Sequence, residues 1–343
     1  MIAPLLLALA VVLLSAPTRA QSARGSAASC SSQEFARAAD SVAAAFDTHQ
    51  FVFIGSTHGG KKSHDFLLCL LSRPGFQRRV TDVLVEWGNP VHQAMVDDYL
   101  LKLRPVPVDS LRPVWVDTDA PQLWGRLPLI PEFYEAVRSI NARLDPARRM
   151  RVIGGSEPID WSRVKTANDV AMYPFKNNWP AHVITDHFLP HPQRKLLVVY
   201  GEGHIHHNGG NMMGNLYARI PREKLFVVGT IDAPGPDDDV ARIARLGNVA
   251  VPFFVSRAWL PSAGPYPRHF FYVRDKPLAH HVDGVLYLGP ASDLDMSNKT
   301  ELSLAETAEK NRRDAIKGDL RELMRLRLGN RENWFRTHPD DLR

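Results

Sequence analysis

Residues Phe51-Val52-Phe53-Ile54-Gly55-Ser56-Thr57-His58 form an apolar, β-branched and aromatic run that stops at Gly-x-x-His. Such a run reads as a buried strand, and its ending delivers an imidazole just past the strand's carboxyl end. The same device recurs at Leu196-Leu197-Val198-Val199-Tyr200-Gly201-Glu202-Gly203-His204. In open α/β sheets that edge is where ligands bind, because the loops there gather polar groups over a rigid apolar floor. After the first run, Ser63 to Leu71 has helical spacing and stops before Pro74, and Asp82-Val83-Leu84-Val85-Glu86 reads as a second strand. Strand, helix and strand in so short a span make a right-handed parallel crossover.

The same reading extends along the chain. Ser32 to Asp47 has Phe35, Ala38, Ala39, Val42 and Phe46 on one helical face. Val91 to Leu103 and Leu129 to Leu144 are further amphipathic helices, separated by an irregular stretch, Pro105 to Pro128, rich in proline and tryptophan. Arg151 to Gly155 gives a third strand, Val164 to His187 a mixed helical lobe, and Leu225 to Gly229 a fifth strand. Further strands are expected near Val249 to Val255, Phe270 to Val273 and Val285 to Leu288. Ser303 to Leu328 reads as a long terminal helix, opened by a capping box of Ser303 with Glu306 and stopped by Gly329. The expected class is α/β, with a mostly parallel central sheet, flanking helices, helical insertions near 90–150 and 161–190, and a C-terminal helix and tail at 301–343.

The chain has 343 residues, 44% of them hydrophobic and 23% charged. Leu5 to Leu14 is an unbroken apolar run followed by Ser15-Ala16-Pro17-Thr18-Arg19-Ala20. The run is shorter than the ~20 residues a bilayer span needs, and it fits a secretory signal over 1–20, cleaved after Ala20. The protein is therefore expected to be secreted or periplasmic, with no membrane span after cleavage, a flexible leader over 21–32 and the α/β domain over 33–300. Its net charge of +5 comes from scattered basic residues, which argues against a nucleic-acid partner. Two cysteines, Cys30 and Cys69, can pair in an oxidising compartment.

His58, Glu86 and His204 share the carboxyl-end rim. Two imidazoles and a carboxylate suit a divalent transition metal, Zn or Mn, with open positions. Without metal, they suit a general base, its orienting acid and a charge stabiliser. Glu202 lies inside the second motif as a further acid. His206, in line with His204 if the segment stays extended, can line the site, as can Trp87, Arg138 and Asp160. The chain lacks a Gly-x-Ser-x-Gly elbow, a phosphate loop, a dinucleotide Gly-x-Gly-x-x-Gly and a His-Glu-x-x-His, which disfavours serine hydrolases, nucleotide enzymes and zincins.

On Gly55 to His58, Glu86, Arg138-Ser139-Ile140-Asn141 and Gly201 to His204, the chain resembles the erythromycin-esterase-like and ChaN-like (haem-uptake) superfamily, to which the TraB/TIKI proteases are related. Phe51 to about Gly289 is covered. Gly55 or Ser56 stands where the esterases and ChaN-like proteins carry a Glu. The Gly-Ser-Thr-His form is nearer the TraB/TIKI style, for which the family implies a metal-dependent peptidase. The expectation is an exported hydrolase of an ester or amide in a small-molecule or peptide substrate, with His58, Glu86, His204 and Glu202 as its chemistry. The alternative is a haem or small-ligand carrier using the same cleft and the His204, His206, His207 cluster.

Overall fold

The computed structural model describes residues 30–174, 178–207, 211–232, 241, 243–256, 258, 260, 278–290 and 299–318. The first apolar run forms strand β1 (Phe51–Ser56). It lies between β4 (Leu196–Gly201) and β5 (Leu225–Ile231), parallel to both, with Phe51 level with Leu196 on one side and Leu225 on the other. β2 (Asp82–Val85) pairs with β4 on its outer side, and β3 (Arg151–Gly154) pairs with β2. Beyond β5 come β7 (Gly284–Tyr287), parallel, and β6 (Phe253–Ser256), the one antiparallel strand among the described residues. The order across the sheet is β3-β2-β4-β1-β5-β7-β6.

Parallel strands covered on both faces need apolar side chains on both, and these have them. Val52, Ile54, Val83, Val85, Leu197 and Val199 pack beneath helices α1 (Gln33–Ala44), α2 (Lys61–Ser72), α3 (Gln93–Leu100) and α4 (Leu129–Asn141). Phe51, Phe53, Leu84, Val198 and Tyr200 face the other way, against Trp179, Ile184, Phe188 and Leu216. Ser32 caps α1 by accepting the Phe35 N–H, so α1 starts where the polar-to-apolar change in sequence suggests. A disulfide joins Cys30, just ahead of α1, to Cys69 in α2.

Three sequence expectations are corrected and one, the helical lobe, is refined. The 105–128 stretch is not wholly irregular: Arg112–Val116 and Pro121–Trp124 are helical turns with a proline in the first turn of each, where its missing N–H costs nothing. The lobe before β4 includes Val183–Phe188 as a π-helix. β4 ends at Gly201 and not at His204, because Glu202–Ile205 winds into one helical turn. The capping box of Ser303 and Glu306 opens α5 (Leu304–Lys317), but the helix stops at Gly318, whose φ of +56° favours a residue without Cβ. The continuation expected to Leu328, the signal at 1–20, most of the leader and the Phe270 to Val273 strand lie outside the described residues. Among the described residues no helix is long and apolar enough to cross a membrane.

The outer margin of β3 is met by a side chain. Gln93 Nε2 donates to the Val152 carbonyl at 2.8 Å, and its Oε1 accepts the Gly154 N–H at 3.1 Å.

Candidate functional site

Register places Ser56 opposite Gly201 and Val85 opposite Val199. The residues that follow therefore leave the sheet over one rim, from the three adjacent strands β2, β4 and β1. Glu86 is at the centre, its side chain 1% exposed. Its Oε2 lies 3.5 Å from His58 Nε2 and accepts the Gly201 N–H at 2.7 Å. Its Oε1 lies 3.6 Å from His204 Nε2. One carboxylate thus faces two imidazoles, which are 34% and 25% exposed. Gly201 is what lets them meet. A Cβ there would stand 3.0 Å from His58 Nε2 and 3.3 Å from Glu86 Oε2.

The His58 ring also walls a small cavity of about 50 Å³ on the α2/α4 side, with Leu67, Trp87, Trp124, Leu129 and Ile130. Trp124 meets the His58 ring edge-on at 4.7 Å, and Trp87 packs against both Trp124 and Phe133. Beneath the rim, the Tyr200 hydroxyl donates to the Gly155 carbonyl. Burial, with the nearby charges of Glu86, Asp119 and Glu157, pushes the Tyr200 phenol well above its ordinary value, so it stays protonated and keeps its hydrogen bond to Gly155.

The other residues singled out in the sequence go elsewhere. Glu202 folds over Gly55, accepts the Thr230 N–H and pairs with His206 at 2.7 Å. His206 is accordingly turned away from the rim and buried. His207 pairs with Asp283 at 2.7 Å. Burial alone would raise the Asp283 carboxyl, but the His207 contact and the Val227 N–H bring it below its ordinary range. The helical turn after β4 explains these positions: an extended segment would keep His204 and His206 on one side, whereas a helix does not. Arg138 donates to the Tyr99 and Leu103 carbonyls and stacks on the Tyr99 ring, closing the end of α3. Asp160 accepts from the Ser162 N–H and hydroxyl, a local turn bond, and lines a separate groove with Asp97 and Arg163.

Three nearby residues escape sequence reading. Asp232 is buried at the end of β5 and accepts the Ser63 hydroxyl at 3.1 Å; the apolar run that marks β5 fades before it. Asp119 comes from the proline-rich stretch, and its Oδ1 is buried with no hydrogen-bond partner among the described residues. Trp124 has no local signal at all. The metal reading meets a geometric difficulty. The two imidazoles address different oxygens of Glu86, and one of these oxygens already takes the Gly201 N–H. Among the described residues, the set of three ligand side chains whose donor atoms all lie within 4.8 Å of one another is His64, Asp65 and Glu132. The His58, Glu86 and His204 trio, as arranged, does not fit a shared ion.

No family model and no curated protein matches this chain. Solved structures do. A succinoglycan biosynthesis protein superposes with a TM-score of 0.50 at 9% identity, over 75% of this chain and 96% of its own. A protein from Bacillus cereus gives 0.46 at 10%, over 75% and 91%. ChaN of Campylobacter jejuni, solved with cofacially bound haem, gives 0.38 at 11%, over 70% and 87%. At 9% identity the first of these speaks for the α/β fold alone.

Proposed function

We propose that this chain is an exported hydrolase of an ester or amide bond, of the erythromycin-esterase-like and ChaN-like kind, acting through His58, Glu86 and His204. The observation that carries the reading is the single buried carboxylate shared by two solvent-reaching imidazoles at the carboxyl-end rim. Glu86 holds the His58 ring in place for the proton transfer. His58 takes that proton from a water whose oxygen adds to the carbonyl carbon. It then returns the proton to the leaving oxygen or nitrogen as the bond breaks. His204, with a proton on each ring nitrogen and one of them held by the other oxygen of Glu86, donates the second N–H to the oxyanion that forms between the two steps. The apolar cavity beside His58 seats the part of the substrate next to the reacting carbonyl.

His58→Ala and His204→Ala should each lower turnover of a panel of esters and anilides by ~10²–10⁴-fold. Their melting temperatures should stay near that of the parent, since both rings are partly solvated. A folded His58→Ala protein with full activity would rule the mechanism out. The carrier reading is left with His58 and His204 as iron ligands at the rim, since His206 and His207 are engaged with Glu202 and Asp283. A Soret shift on haemin titration that disappears in His204→Ala, without hydrolysis of any panel member, would favour it.

A further inference from the structure

We infer that His64, Asp65 and Glu132 form a divalent-cation site, separate from the His58–Glu86–His204 trio and of the mixed nitrogen and oxygen type that takes Zn²⁺ or Mn²⁺. The inference does not depend on the hydrolase reading. His64 and Asp65 are neighbours on α2, and Glu132 lies in the first turn of α4, which packs against it. One ligand atom from each lies within 4.8 Å of the other two. The His64 side chain is 8% exposed, and its Nε2 faces Glu132 as an ion pair too long for a good hydrogen bond. A buried ring nitrogen is ordinarily satisfied, and this one is aimed at the carboxylates. It lies 3.5 Å from Glu132 Oε2. Ligands at bond lengths of ~2.1 Å around a tetrahedral ion are separated by ~3.4 Å. One imidazole with two carboxylates suits the borderline metals, and three protein ligands leave a position open.

Positive charge already gathers here, since Lys61 pairs with Asp65 one helical turn on. That ammonium is partly exposed and on a flexible stem, so it can swing into water as an ion replaces it. Binding is then an exchange, and Lys61 weakens it. His64 also lines the cavity that His58 walls, so the ion would clamp α2 to α4 at the cavity's side.

The test is calorimetric titration of ZnCl₂, and separately MnCl₂, into the tag-free full chain after chelator stripping. One ion per chain is expected. His64→Ala and Glu132→Gln should each weaken binding at least ~10-fold, Lys61→Met should tighten it, and His58→Ala should leave it unchanged. Glu132 is half exposed, so Glu132→Gln keeps the test decisive if His64→Ala does not fold. The assignment is overturned if the parent chain binds neither ion, if Glu132→Gln and His64→Ala bind as the parent does, or if His58→Ala abolishes binding.

Discussion

The position that most constrains the site is Gly201, which contributes no side chain to it. Adding a methyl there brings carbon to 3.0 Å from His58 Nε2 and 3.3 Å from Glu86 Oε2. Real Cβ contacts are rarely that close, so the His58 ring must retreat from the carboxylate. Gly201→Ala should therefore cut turnover at least ~10-fold, the loss expected when a base is misplaced by a fraction of an ångström or more. Its thermal melt should change little, because the ring moves toward solvent; a rate assay beside calorimetry separates the two. This glycine and the two histidines are legible in sequence, since a strand that ends in Gly-x-x-His announces both a turn and a reacting group. Glu202 and His206 are not. Whether the chain stays extended or coils after Gly201 decides which side each faces, and no local residue announces the coil. Arg138 is a similar case: the sequence lets it line the site, and only tertiary packing shows it closing the end of α3 instead.

Among the elements, α5 is the one whose docking is hardest to anticipate. Its start is plain from Ser303 and Glu306, but part of the surface it docks on is the Pro- and Trp-rich 112–118 segment, which has no periodicity to read. Arg313, buried, donates to the Val116 and Thr118 carbonyls and pairs with Asp117 at 2.7 Å. Glu306 both closes the capping box and pairs with Arg112. The hydrogen bond from Arg112, strengthened by the Ser303 N–H, lowers the Glu306 carboxyl from 4.5 to about 2. A carboxyl depressed on folding stabilises the fold above its unfolded value and loses that contribution as pH falls toward its folded one. The stability gap between the parent chain and Glu306→Gln should thus be full above about pH 4.5 and narrow steadily toward pH 2. Urea unfolding at pH 6 and at pH 3 measures it. An unchanged gap between those two values would show that the ion pair is not formed in solution.

At the scale of the whole molecule, the α/β class follows from apolar runs alternating with amphipathic helices, and it is legible from the sequence. The order of strands is not, because crossover lengths do not say that β4 inserts between β1 and β2. That insertion is what brings His58, Glu86 and His204 onto neighbouring strands. The disulfide joins residues 39 apart and spans α1, β1 and most of α2. A link of that length is worth about 4 kcal/mol through the unfolded chain's lost freedom. Cys69→Ser, or reduction, should lower the urea midpoint accordingly, and an unaltered midpoint would show that the link is not made. Gln93 leaves a last consequence. The sheet is terminated on the β3 side by a primary amide imitating a peptide group, carried on the helix α3 that also grips Arg151 of β3 through Asp97. A Gln93→Leu chain should present a vacant donor and acceptor at that margin and self-associate with rising concentration, visible as growing mass in light scattering, while the parent stays at constant mass.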